Sequence, residues 1–260
     1  MSIAESTTSD GIQVRHLSHD YQRDGTRIEA LSDVNLKVPV GEFISLVGAS
    51  GCGKTTLLDI LTGLLQAQDG EVLLAGEAPA AGRADTARMF ARDALMPWRT
   101  AAQNIDFALA TRVADAKQRA ETIRTLLAAV GLEEFADAYP GQLSQGMRQR
   151  VALARTFSLH SQFVMLDEPF GAVDAMTKIS LQDQLVALWE RTPSTTVVLV
   201  THDLGEAVAL SDRVIVMSPR PGRIVADVAI YLPRPRSVKA LQSVRQFHDL
   251  VAQLWDRLGE

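Results

Sequence analysis

Phe43-Ile44-Ser45-Leu46-Val47, running straight into Gly48-Ala49-Ser50-Gly51-Cys52-Gly53-Lys54-Thr55-Thr56, is the stretch that decides the fold. The first part is a short apolar run with the length of a strand buried on both faces. The second fits the pattern G-x-x-x-x-G-K-[ST], and Thr56–Leu65 continues as a helix. Strand, glycine loop and helix together make a cradle for phosphate. Glycines let backbone N–H groups curl round phosphate oxygens, and the helix N-terminus adds its positive dipole end. Gly48 to Thr56 are therefore the candidate phosphate-binding residues. Lys54 is the charge for the β- and γ-phosphates, and the Thr55 hydroxyl is a candidate Mg²⁺ ligand. A glycine-rich turn without a ligand is the plain alternative, and the strand before and helix after argue against it.

Working outward, Phe163–Leu166, Thr196–Val200 and Val214–Met217 are further apolar runs of strand length. Helical patterns alternate with them, so the class is α/β with a parallel sheet. Upstream, Val14–Leu17 and Ala30–Val38, with a turn at Arg23-Asp24-Gly25, suggest a small antiparallel β layer. Arg92 to Ser144 carries little strand signal and reads as a helical insertion, in which Lys117–Val130 is amphipathic with Gly131 as its C-cap. Ser180–Glu190 is a second amphipathic helix, and Gln242–Leu258 a third after prolines at 219, 221, 233 and 235.

Two carboxylates, Asp167 and Glu168, end the Phe163 strand. At the end of a parallel strand Asp167 would lie beside the phosphate loop and hold the Mg²⁺ shell, and Glu168 would polarise an attacking water. His202 follows the Thr196 strand at the same sheet edge, where ligands bind in open α/β sheets, and is read as a γ-phosphate contact.

Composition removes other classes. The chain has 260 residues, 47% hydrophobic, with a net charge of -5 and 5% aromatics. It lacks the basic footprint and the stacking aromatics of a nucleic-acid binder. Cys52 is the only cysteine, so no intrachain disulfide forms. Residues 1–10 are polar and read as a disordered tail without signal-peptide character. No apolar run spans a bilayer. The expectation is a soluble chain whose membrane role comes through a partner.

A phosphate loop with carboxylates also fits kinases and GTPases. Leu143-Ser144-Gln145-Gly146-Met147, before the helical run Arg148–Thr156, narrows the choice. It resembles the LSGGQ signature of ABC ATPases, and the other motifs follow in that family's order. Gly171-Ala172-Val173-Asp174 resembles the D-loop, Thr201-His202-Asp203 the H-loop, and Tyr21 the aromatic that stacks on adenine. The likeness covers about Ile12 to Pro235. It implies a P-loop NTPase core over residues 11–235, a helical subdomain at about 92–160 and a C-terminal helix over 236–260. It also implies ATP and Mg²⁺ as ligands, Glu168 and His202 as catalytic residues, and a homodimer with two composite sites. Ser144 and Gly146, at a helix N-terminus, would meet the γ-phosphate held by the other copy. Asp174 would lie at the nucleotide as well.

Leu95-Met96-Pro97-Trp98-Arg99, Ser218–Ile224 and Leu232–Arg236 resemble one importer branch, for nitrate, sulfonates and taurine. That implies a peripheral place on the cytoplasmic face of the inner membrane. Two permease subunits would dock near Leu95, Met96 and Trp98, and an extracytoplasmic binding protein would deliver the solute. A core position for Trp98 is the alternative. Three positions depart from the family pattern: Gln145 and Met147 in the signature, and Ala91 where the Q-loop has glutamine. A non-transport ABC ATPase and a regulatory, partly degenerate subunit are the competing readings.

Overall fold

Alternating apolar positions build the first layer. A computed structural model describes residues 11–23, 25–171 and 173–258. The tail over 1–10, Asp24 of the expected turn, Ala172 of the D-loop stretch and residues 259–260 lie outside the described residues. β1 (Ile12–Arg23) and β2 (Thr26–Val38) pair antiparallel, both longer than the sequence pattern suggests. An irregularity in β1 at His16, where φ is +50°, resets the alternation, so Leu17 and His19 face inward after Ile12 and Val14. That phase change hides the strand from a period-2 search.

β3 (Phe43–Gly48) leads through the phosphate loop into α1 (Lys54–Leu61). α1 stops four residues short of the expected Leu65: Thr62 caps it, and its hydroxyl returns to the Leu58 carbonyl at 2.9 Å. β4 (Asp69–Leu74) completes the small antiparallel sheet on the free side of β1. β5 (Thr86–Met89) comes next, a strand missed in the sequence because Arg88 interrupts its apolar pattern.

Between β5 and β6 (Phe163–Asp167) lie α2 (Ala101–Leu109), α3 (Ala116–Ala129) and α4 (Gln145–Ser158). Thr100 opens α2 with a reciprocal capping box to Gln103. Asp115 caps α3, accepting the Lys117 N–H at 2.8 Å; the C-cap of α3 is Val130, and Gly131 follows it at φ +66°.

α5 (Ala175–Glu190), β7 (Thr196–Val200), α6 (Leu204–Leu210), β8 (Arg213–Met217) and β9 (Ile224–Ala229) follow. The main sheet runs β5-β6-β7-β3-β8-β9, parallel except for the antiparallel edge strand β9. Its faces divide by strand alternation. Ile44, Leu46, Met165 and Val198 pack with α1 and the antiparallel sheet, while Val47, Leu166 and Leu199 pack with α4, α5 and α6.

The single C-terminal helix is corrected to two, α7 (Val238–Leu241) and α8 (Arg245–Leu258). Phe247 and Leu254 of α8 are buried in the same core as α4 to α6. Arg236, the residue before that segment's cap, has a buried guanidinium that donates to the Ser211, Leu232 and Ile230 carbonyls at 2.6, 2.9 and 3.3 Å. Among the described residues no helix is long and apolar enough to cross a membrane.

Candidate nucleotide site

The C-terminal ends of β3, β6 and β7 bring the predicted residues to one edge of the sheet. Gly53, at φ +103°, turns the loop into α1; a Cβ there would lie 2.6 Å from Leu31 Cδ2 and 2.8 Å from the Ala30 carbonyl oxygen. That position accepts only glycine. Lys54 is buried at the centre of the loop, its Nζ donating to the Gly48 and Ala49 carbonyls at 2.8 and 3.0 Å. Cys52 turns its sulfur away from solvent, 1% exposed, into the core that α1 shares with the sheet, 3.6 Å from Lys54 Nζ. Its side chain is part of the loop's support, so any contact with phosphate falls to its backbone.

One cavity is lined by Tyr21, Ala30, Ser50, Gly51, Gly53 to Thr56, Glu168 and Arg220. Tyr21 is 40% exposed there, its hydroxyl 3.3 Å from Thr56 Oγ1 and its ring edge-on to His19. An exposed ring face at the rim suits a purine. Arg220, from the turn after β8, donates to the Gly51 carbonyl through Nη2 at 3.2 Å and Nε at 3.3 Å. Its place in the cavity had no signal in the sequence.

Asp167 is nearly buried, with Oδ1 at 3.5 Å from Thr55 Oγ1 and Oδ2 at 3.2 Å from Arg88 Nη2. Burial raises its pKa, against the pull of the Arg88 guanidinium. A hydroxyl and a carboxylate side by side are hard oxygen donors, which fits Mg²⁺, an ion that takes its remaining positions from water and phosphate. Glu168 leaves the strand at φ +45° with its N–H held by the Val200 carbonyl at 2.9 Å. A non-glycine residue in the left-handed region is held there by its surroundings, here by β7. That turn aims Glu168 at His202, and Oε1 lies 3.4 Å from Nδ1.

Behind His202 sits a polar cluster that no local pattern predicted in full. Asp203 caps α6 by accepting the Glu206 N–H at 3.0 Å, a spacing that a capping-box search finds. The Glu206 side chain does not reach back to that cap. It is buried, accepts from Thr201 Oγ1 at 2.8 Å, and lies 3.4 Å from Lys178 Nζ of α5. Desolvation pushes its pKa up to about 7, although Lys178 and Thr201 favour the ionised form.

Ser144, Gly146 and Asp174 are not brought to this cavity. Ser144 is exposed and caps α4, accepting the Met147 N–H at 3.3 Å. A Cβ on Gly146 would lie 2.5 Å from Thr177 Cγ2, so glycine lets α4 start hard against α5. Asp174 caps α5 from an exposed position, accepting from Met176 and Thr177 N–H groups, both at 3.1 Å; the Thr177 side chain first, and then these N–H groups, lower its pKa. The segment after β5 is tied to α4: Arg148 Nε donates to Asp93 Oδ2 at 2.9 Å, and Arg155 to the Asp93 and Ala94 carbonyls. Asp93 is thereby a partner of the signature helix. Trp98 is 72% exposed, which removes the core alternative, whereas Leu95 packs partly against the core.

The family model described as "ABC transporter" matches residues 31–171. The aliphatic sulfonates import ATP-binding protein of Pseudomonas aeruginosa is 46% identical over 216 residues, 83% of this chain and 75% of that one. The taurine import ATP-binding protein of Rhizobium johnstonii is 43% identical over 206 residues, 78% of each chain. A dimeric ATP-binding cassette in a post-hydrolysis state, bound to ADP and Pi, superposes with a TM-score of 0.76 at 28% identity, covering 85% of this chain and all of that one. With a phosphate loop on a six-stranded sheet and a carboxylate pair and a histidine at its edge, the chain belongs to the ABC transporter family as an ATP-binding subunit of the P-loop ATPase type.

Proposed function

We propose that two copies of this chain close on ATP, hydrolyse it, and drive a pair of permease subunits importing a small solute of the nitrate, sulfonate or taurine type. The observation that carries this reading is that the predicted site comes in two separated halves. The phosphate loop, Asp167, Glu168 and His202 share one sheet edge, while Ser144 and Gly146 start a helix outside the cavity that the phosphate loop and Glu168 line. Amides in the first turn of a helix have no acceptor within the helix, so beyond the Met147 N–H taken by Ser144 that end can receive an anion. A second copy related by two-fold symmetry supplies it, and each ATP then binds both chains.

Within such a dimer, Thr55 and Asp167 would hold Mg²⁺, which when bound would neutralise charge on the phosphates. Lys54 and the loop amides fix the phosphates, and Tyr21 stacks on the adenine. Glu168 accepts a proton from the water that attacks the γ-phosphorus, and His202 contacts the γ-phosphate. Opening of the dimer after hydrolysis moves the segment containing Trp98, whose exposed ring is the contact offered to a permease. The solute type is drawn from the named import relatives, and a binding protein delivers it from outside the membrane.

The dimer is tested by size exclusion of the Glu168→Gln chain. ATP should double its apparent mass, and Ser144→Arg in that background should keep it monomeric. Ser144→Arg also loses the α4 cap, at about 1 kcal/mol, too little to unfold the chain. A Glu168→Gln chain that stays monomeric at saturating Mg-ATP overturns the composite site.

A further inference from the structure

Arg88 stands on β5 opposite Met165 of β6, two residues before Asp167. Side chains two apart on a strand, and their parallel partner, leave the sheet on one face. Arg88 and Asp167 therefore emerge together on the α1 side, although 79 residues separate them in the chain. The guanidinium is almost fully buried, with a side-chain exposure of 8%. Its Nη2 donates to Asp167 Oδ2 at 3.2 Å, and its Nη1 to Asp59 Oδ1 of α1 and, at 3.4 Å, to Thr62 Oγ1. The Phe90 ring lies 4.7 Å from the guanidinium carbon.

The two oxygens of Asp167 are thereby given different tasks. Oδ2 is occupied by Arg88, and Oδ1 faces Thr55 Oγ1. We propose that Arg88 is a positioning residue for the metal site, holding Oδ2 so that Oδ1 stays turned toward Thr55 in ligating orientation. The terminal torsion of an aspartate is broad and two-fold, so a carboxylate without a second contact wanders between orientations. Arginine is always charged and presents a planar fork, and Asp59 anchors its other arm. Outer-shell partners of this kind orient the ligands that touch the metal. The alternative is a rival cation, with Arg88 competing against the metal for Asp167. The two differ in sign: orientation makes the metal bind better, competition makes it bind worse.

The proposal rests on the reading that Thr55 and Asp167 face Mg²⁺, and the test separates the two. ATP affinity is measured by calorimetry on the full Glu168→Gln chain, with Mg²⁺ and again with EDTA, and the ratio gives the metal's contribution. Arg88→Met should cut that ratio by about 10- to 100-fold, the usual loss with an outer-shell partner. Affinity in EDTA should stay within about 3-fold, well under 1.4 kcal/mol. Arg88→Lys, one donor point instead of a fork, should fall between parent and Arg88→Met. Asp59→Asn should lower the ratio without touching the ligand. A thermal melt confirms that each variant is folded. An unchanged or raised ratio in folded Arg88→Met overturns the proposal. If Arg88→Met does not fold, unchanged ratios in both Arg88→Lys and Asp59→Asn overturn it. Asp167→Asn is the control: should it leave the ratio unchanged, the metal reading fails and the proposal with it. Should it lower the ratio while Arg88→Met does not, only the positioning role fails.

Discussion

Glu168 and His202 meet across two strand ends, Oε1 of one 3.4 Å from Nδ1 of the other. Both side chains keep solvent access, 39% and 65%, as the proposed work on an incoming phosphate and water requires. Glu168→Gln keeps the shape and the left-handed backbone while removing the proposed base. ATP binding should stay within about 3-fold, under 1 kcal/mol, and steady-state turnover should fall by at least ~100-fold. Turnover near the parental rate would remove Glu168 from the chemistry.

Glu206 makes stability depend on pH. Its folded pKa of about 7 lies above the ordinary 4.5, because burial penalises the carboxylate more than Lys178 and Thr201 repay. Between those values the folded chain holds a proton that the unfolded chain has released. Stability therefore falls as pH rises through that window, by up to about 3 kcal/mol. The charges facing it are Lys178 from α5 and Asp203 at the α6 cap. Glu206→Gln lacks the titration, so denaturant unfolding should show the variant gaining on the parent from pH 5 to pH 8. Parallel pH profiles would place the proton elsewhere.

Trp98 tests the permease contact. At 72% exposure it contributes little to the fold, so Trp98→Ala should change unfolding free energy by no more than about 0.5 kcal/mol. Co-sedimentation with membranes that contain the cognate permease should be lost. Retained membrane binding would move the docking surface away from this ring.

Ala91 is exposed at the position where the Q-loop pattern expects a glutamine, and an alanine would carry no tension between the proposed metal site and a permease. The ties from Arg148 and Arg155 to Asp93 and Ala94 connect the next residues to the signature helix instead. In the full assembly, Ala91→Gln should raise the stimulation of ATPase activity by loaded binding protein, and Asp93→Ala should lower it. ATP affinity should move less than ~10-fold, about 1.4 kcal/mol, in either variant. Stimulation unchanged in both would take this segment out of the coupling path.

What the sequence determined by itself is local. The phosphate loop was legible because strand, glycines, lysine and helix are contiguous, and its conformation follows from φ freedom at Gly53 and the start of α1. The caps at Ser144, Asp174 and Asp203 are local in the same way, since a cap joins residues within one turn, although Asp174 and Asp203 were read from sequence for their place in the motifs and not as caps. The inward sulfur of Cys52, the buried carboxyl of Glu206 and the grip of Arg88 on Asp167 were decided only by the tertiary structure. Arg88 looks like a break in a weak strand until β5 pairs with β6 in one register and α1 closes over that face. Such contacts depend on which strands become neighbours and which face each side chain takes. Those choices are made by burial summed over the whole sheet, and no window of adjacent residues contains them.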